Sequence, residues 1–353
     1  MRQLIENHRV IVCTGSGGVG KTTLSAALGV LAARMGKHVL VLTIDPARRL
    51  ATTLGIDQGA DEVWVPGQGY AGSLHAGMID QARIFAAYIR RNATDQATID
   101  GLFNNALYQQ LSTTLSGSQE FTSLSKLVDT AGSGHYDLVI LDTPPVAHAV
   151  DFLHAPEKLN AVFNTAIISM FMGRTRGFKF ASAAWKMGVK MLLGTLSFLT
   201  GSEFVATFNG FFSAIDAIAP DIRETSLKAH RLLLDPSTAF VLITSFDQAK
   251  IIEGEAFHDE LGAAGYHLRK VIVNRAWPTW AVPESPQVHA TQTELRQQGL
   301  TALADLHQNL CRYYADRSQA HTRFENILKL TEFDTEVVGL HALEQLADRL
   351  AQV

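Results

Sequence analysis

Apolar residues in this chain are gathered into short blocks rather than spread evenly. RVIVCT at 9–14, HVLVLTID at 38–45, YDLVILD at 136–142, TAFVLITSF at 238–246 and LRKVIVNR at 268–275 are aliphatic runs rich in β-branched residues, and each closes on polar or glycine positions. Runs of this length and composition predict strands buried on both faces, as in a parallel sheet. Between the first two, Leu24, Leu28, Leu31 and Met35 recur at helical spacing, and Gly36 supplies the stop. Strand, glycine loop, helix and strand in that order form a right-handed βαβ unit, whose binding crevice lies at the carboxyl ends of the strands. The predicted fold class is therefore α/β, with a mostly parallel central sheet flanked by helices.

Two long segments, 76–128 and 151–235, have helical patterns and exceed ordinary crossovers. They predict an inserted all-helical subdomain for client or effector binding, set against a nucleotide-binding domain made of 1–75, 129–150 and 236–353. The stretches 289–328 and 335–353 are also expected to be helical. Composition narrows the field. A net charge of -4 and a charged fraction of 18% give no broad basic surface, so no nucleic-acid partner is expected. Cys13 and Cys311 are the two cysteines, which excludes a disulfide framework or thiolate metal cage and suits a reducing compartment. MRQLIENHRV lacks the pattern of a secretory leader. The apolar stretches within 161–215 are broken by Arg174, Arg176, Lys179, Lys186 and Lys190, short of the roughly 20 residues a membrane span needs. The expected location is cytoplasmic, with a peripheral place at the membrane left open.

The most specific motif is TGSGGVGKTT at 14–23, in which Gly15 to Thr22 fit G-x-x-x-x-G-K-[ST]. A loop that follows a strand and opens a helix aims backbone N–H groups and the positive helix end at a phosphate. The expected nucleotide contacts are Gly15, Ser16, Gly17, Gly18, Val19, Gly20, Lys21, Thr22 and Thr23. Lys21 would meet the β- and γ-phosphates, and the Thr22 hydroxyl would coordinate Mg²⁺. Asp45 and Asp142 each close an apolar strand; the first could orient the attacking water and the second could hold the Mg²⁺ shell. A strand-end aspartate can equally be a helix cap or a turn residue.

These motifs resemble those of the arsenical-pump and tail-anchored-protein-targeting ATPases, a deviant P-loop class of dimeric NTPases. GSGGVGKTT is similar to the family's GKGGVGKTT, TIDPARR to its TDPAH, DTPPVAHAVDFLHAP to its DTAPTGHTLRFLQLP, and VIVNR to its VVVNQ. The resemblance covers most of the chain and implies a homodimer. It also implies that Asp45 handles water, Asp142 sits near the metal, His148 is a switch residue, and Asn274 reads the adenine edge. Asp247 sits where relatives place an acidic nucleotide contact, and Phe333 would pack beside the adenine. The chain departs from the pattern at Ser16, where the family's lysine reaches the phosphates of the partner subunit. Arg48 or Arg49 could supply that charge instead, or could lie on a solvated turn. No CxxC pair is present for the zinc clamp of the targeting branch, and the three sensing cysteines of the arsenical branch are also missing.

Residues 161–215 hold nine of the eighteen phenylalanines and four of the seven methionines. Met170, Phe171, Met172, Met187, Met191, Phe198, Phe211 and Phe212 are the candidate lining of a client groove, since flexible thioethers and flat rings accept varied apolar helices. The same side chains could instead pack a helical core or a dimer face. The expected function is a Mg²⁺-dependent ATPase whose nucleotide cycle controls this surface for a hydrophobic membrane-protein client or an integral membrane partner. The alternatives are the soluble motor of an anion or metalloid exporter, a ParA- or MinD-like positioning switch, and a structural ATP clamp, which retention of Lys21, Asp45 and Asp142 disfavours.

Overall fold

The computed structural model describes residues 1–44, 49–56, 62–66, 69–93, 95–105, 117–145, 153–155, 202–281, 285–318, 324 and 326–352. The chain divides into two units: Met1–Met78, Thr130–Val150 and Leu233–Val353 form the first, and Ile79–Asp129 with Asp151–Leu232 the second.

The first unit is built on a sheet of eight strands: β1 (Val10–Gly15), β2 (His38–Thr43), β3 (Glu62–Val65), β4 (Ser73–Met78), β5 (Leu138–Asp142), β6 (Thr238–Thr244), β7 (Leu268–Val273) and β8 (Ile327–Lys329). Their order is β3-β4-β2-β5-β1-β6-β7-β8. Every pairing is parallel except β3 with β4. Of the five strands expected from apolar runs, β1, β5 and β6 are buried along their whole length, β2 from its second residue onward and β7 over its last three residues. That match follows from packing on both faces, which removes any place for polar alternation. β3 and β4 carry no comparable run. Trp64 on the antiparallel edge strand is 58% exposed, and SLHAGM offers a period of two only in its burial. The stretch 289–328 proves not to be wholly helical, because Ile327–Lys329 leaves the helices to pair with β7 as the last strand.

Helices α1 (Arg2–Asn7), α2 (Lys21–Arg34) and α3 (Arg49–Leu54) belong to this unit. α2 is buried around most of its circumference, and it packs on β1, β2, β4, β5 and α3. Small residues make that approach possible. A side chain on Gly29 would come within 2.9 Å of Leu74 and closer still to Val41. Gly36, at φ 90°, then ends the helix in the left-handed region that glycine adopts without strain.

Among the described residues, four helices begin in the second unit: α4 (Gln81–Asn92), α5 (Gln96–Phe103), α6 (Gly117–Gly132) and the long α7 (Ser202–Leu234). On the C-terminal side, the described residues of the first unit form α8 (Gln248–Ala263), α9 (Pro286–Gln297), α10 (Thr301–Ser318) and α11 (Gly339–Ala351), with a 3₁₀ turn at Thr279–Ala281. α11 buries Leu343, Leu346, Ala347 and Leu350 on one side and covers α2.

The second unit has its own core. Tyr88, Ile89, Leu102, Phe121, Ile218, Ala219 and Ile222 are buried together. The Tyr88 and Phe121 rings meet edge to face at 4.9 Å, a geometry that the opposed ring quadrupoles favour. The Asp80 carboxylate caps α4 by accepting from the Arg83 amide at 3.0 Å. Among the described residues, no helix is long and apolar enough to cross a membrane.

Because Gly29 is a contact and not a hinge, Gly29→Val should destabilise the protein by about 1–3 kcal/mol in urea unfolding. Gly262→Ala on α8, whose added Cβ meets nothing within 4 Å, should be neutral or gain up to about 1 kcal/mol from helix propensity.

Candidate functional site

Residues 15–20 carry the chain from the end of β1 into α2, and each constraint on them can be named. Gly15 lies opposite Ile243 of β6, and a Cβ there would run into the Ile243 carbonyl oxygen. Gly20, the residue before α2, is left-handed at φ 90° and ψ 28°, and a Cβ on it would lie 2.6 Å from the Asn274 amide nitrogen. Glycine is therefore required at 15 by close approach and at 20 by both conformation and space. α2 begins with no acidic residue in its first turn and no side-chain cap. Its amide donors and positive end are left for an external anion.

Lys21, although 8% exposed, directs its Nζ back to donate to the Ser16 carbonyl at 2.9 Å. Thr22 donates from Oγ1 to Asp142 Oδ2 at 2.7 Å, and Thr43, the last residue of β2, donates to the same oxygen at 3.0 Å. Asp142 is 1% exposed. Its position follows from sheet register, since Cys13 pairs with Asp142 across β1–β5 and Thr43 pairs with it across β2–β5. Thr143 closes the layer beneath, its hydroxyl donating to the Cys13 carbonyl at 3.0 Å. A loop of backbone donors, a lysine and an oxygen pair from Thr22 and Asp142 suits a polyphosphate with a hard divalent cation, which prefers oxygen ligands.

Cys13 lies under this assembly. Burial pushes its thiol up to about 12; Ser25 draws it back, the Asp142 carboxylate adds to the rise, and the Lys21 charge opposes it. Cys13 is thus a neutral packing residue at ordinary pH.

Other expected site residues fall as follows. Asn274 sits against the loop, its Nδ2 donating to the Val19 carbonyl at 2.8 Å. Asp247 caps α8, accepting from the Ala249 and Lys250 amides at 3.1 and 3.3 Å. Phe333 packs on the first unit's core beneath the Arg349 guanidinium, 3.7 Å from its ring centre. Phe211 packs, partly buried, on the core of the second unit. Asp45, Arg48, His148, Met170, Phe171, Met172, Met187, Met191 and Phe198 lie outside the described residues, as do the side chains of Arg49 and Phe212.

Two participants escaped the motifs. Thr43 could have been suspected only as the hydroxyl closing a strand. Lys250 bears no local signal at all, yet its Nζ donates to the Gly17 carbonyl from the first turn of α8.

A parallel sheet with a glycine loop between its central strand and first crossover helix, and a carboxylate on the neighbouring strand, defines a P-loop NTPase. The anion-transporting ATPase family matches residues 8–352, and the chain belongs to it; it is an ATPase. Similar proteins include ATPase ASNA1 homolog 2 of Paramecium tetraurelia, 23% identical over 279 residues, covering 78% of each chain. ATPase get3 of Aspergillus terreus is 24% identical over 344 residues, 97% of this chain and 90% of the relative. ATPase get3 of Schizosaccharomyces pombe is 23% identical over 344 residues, 96% and 89% respectively.

The burial of Cys13 has a direct chemical readout. At pH 8 an aromatic disulfide reagent should titrate one thiol in the folded protein, the partly exposed Cys311, and the second only after denaturant is added. Rapid reaction of both thiols in the native protein would contradict the placement of Cys13.

Proposed function

We propose that this ATPase works as a Mg²⁺-dependent homodimer whose nucleotide cycle controls an apolar surface of the helical unit, and that the surface receives apolar segments of membrane-protein clients, of the tail-anchored kind. The observation that carries the catalytic half is the contact of Thr22 with Asp142 at 2.7 Å beside the Lys21-bearing loop. Thr22 and Asp142 would hold the metal, Lys21 the β- and γ-phosphates, and residues 15–23 the rest of the polyphosphate. Mg²⁺ supplies charge neutralisation on the phosphate oxygens when bound.

Asp45, two residues beyond Thr43, is assigned to orient the attacking water, and His148 to pass the nucleotide state onward. Asn274 is assigned to the adenine edge, with Asp247 and Phe333 nearby in the nucleotide pocket. One Asn274 donor is spent on Val19, so the carbonyl oxygen and second amide hydrogen are the groups left to select ATP.

Support for the client half is compositional. Nine phenylalanines and four methionines fall within 161–215, side chains suited to receiving varied apolar helices. The five basic residues there would favour clients with anionic surroundings or lipid headgroups.

Lys21→Ala and Asp142→Asn should each lower ATP turnover by about 10² or more while leaving the circular dichroism spectrum unchanged. Asp45→Asn loaded with ATP should keep a synthetic apolar helical segment in solution, and the ADP form should release it. Equal aggregation of the segment with and without the protein would sink the client reading. Hydrolysis stimulated by an oxyanion, with no effect of the apolar segment, would establish an export motor instead.

A further inference from the structure

The loop carries two lysine ammoniums on consecutive carbonyls: Lys21 Nζ donates to Ser16 O and Lys250 Nζ to Gly17 O. They reach it from different elements. Lys21 opens α2, whereas Lys250 comes from the first turn of α8, which follows β6.

The placement of Lys250 is built into the fold. β6 pairs with β1 up to Gly15↔Ile243, so the chain leaving β6 emerges beside the loop. Thr244, the last residue of β6, donates its hydroxyl to the Lys250 carbonyl at 3.1 Å. Asp247 accepts from the Lys250 amide at 3.3 Å and caps the helix. The backbone of Lys250 is thus held at both its donor and its acceptor. Its partly exposed side chain lies across to Gly17.

Ser16, by contrast, contributes no charge and is turned inward. It is 1% exposed, and its hydroxyl has no hydrogen-bond partner among the described residues. Among the described residues, Lys21 and Lys250 bring positive charge to this end of the loop.

We propose that Lys250 is a second phosphate-binding lysine of this ATPase, supplied by the same subunit that supplies the loop, and that it engages the terminal phosphate of ATP beside Lys21. This rests on the reading of residues 15–23 as the ATP site. A carbonyl oxygen is a weak, neutral partner for an ammonium, and a phosphate oxygen is a charge-assisted one, so an arriving polyphosphate draws the ammonium off Gly17. A lysine on a flexible stem makes that exchange with little backbone movement. The Thr244 and Asp247 contacts keep the stem's base in place throughout.

The test measures binding of a non-hydrolysable ATP analogue and of ADP, each with Mg²⁺, by titration calorimetry. It compares the parent with Lys250→Gln, Lys250→Arg and Lys21→Ala. Loss of one charge-assisted contact should weaken the ATP analogue about tenfold or more in Lys250→Gln. ADP affinity should change little, and Lys250→Arg should retain most of the analogue affinity. Circular dichroism of each variant guards against unfolding, and Lys250→Arg preserves the charge if Lys250→Gln proves unstable. Parental analogue affinity in Lys250→Gln with loss in Lys21→Ala would overturn the role of Lys250 alone. Parental affinity in both variants would overturn the assignment of the loop as the ATP site. Equal weakening of ADP and the analogue would place Lys250 away from the terminal phosphate and overturn the inference in this form.

Discussion

The ladder that holds β1 between β5 and β6 decides the geometry of everything at the loop. Its register sets Cys13 opposite Asp142 on one side and Gly15 opposite Ile243 on the other. Three chain exits then share one edge of the sheet: the glycine loop after β1, the carboxylate at the end of β5, and the connection from β6 to α8. Side chains alternate across a sheet, so a slip of one residue would send every side chain of a strand to the opposite face, into packing shaped for its neighbours. Asp142 could then no longer meet Thr22, and Gly15 would be replaced by a residue with no room for its Cβ. Full burial of these strands makes such a slip costly, which is why the register is secure.

Burying a carboxylate and a lysine in so small a volume carries a desolvation cost, and the surrounding hydrogen bonds offset it. Asp142 takes hydroxyl donors from Thr22 and Thr43 on one oxygen, and Lys21 is held by a loop carbonyl. In the proposed ATP site, each of these partners is one that a Mg²⁺–nucleotide would displace or share. Cys13 beneath it remains uncharged because the same low-dielectric layer that strengthens these contacts disfavours a thiolate.

The second unit follows a different logic. Its aromatic core, centred on Tyr88 and Phe121, is assembled from helices distant in sequence, with Ile218, Ala219 and Ile222 contributed by α7. Phe211 joins that core partly buried, so some of the segment's phenylalanines are spent on internal packing. The edge-to-face rings and the Tyr88–Thr225 hydroxyl contact at 3.1 Å hold the described part of this core together.

Local sequence by itself determined the five central strands, the glycine loop at 15–20 and the helix after it, because burial on both faces, helical periodicity and glycine conformation all leave marks on neighbouring residues. The edge strands β3 and β8, and β4 next to β3, left no such mark. Their pairing is set by partners elsewhere in the sheet, and their side chains are mixed. Only the tertiary structure decided that Asn274 braces Val19 and that Lys250 reaches Gly17, contacts spanning 255 and 233 positions. Strand order, not local pattern, brings those residues together. A lysine in the first turn of a helix has no special meaning until the neighbouring strand delivers it to a phosphate loop.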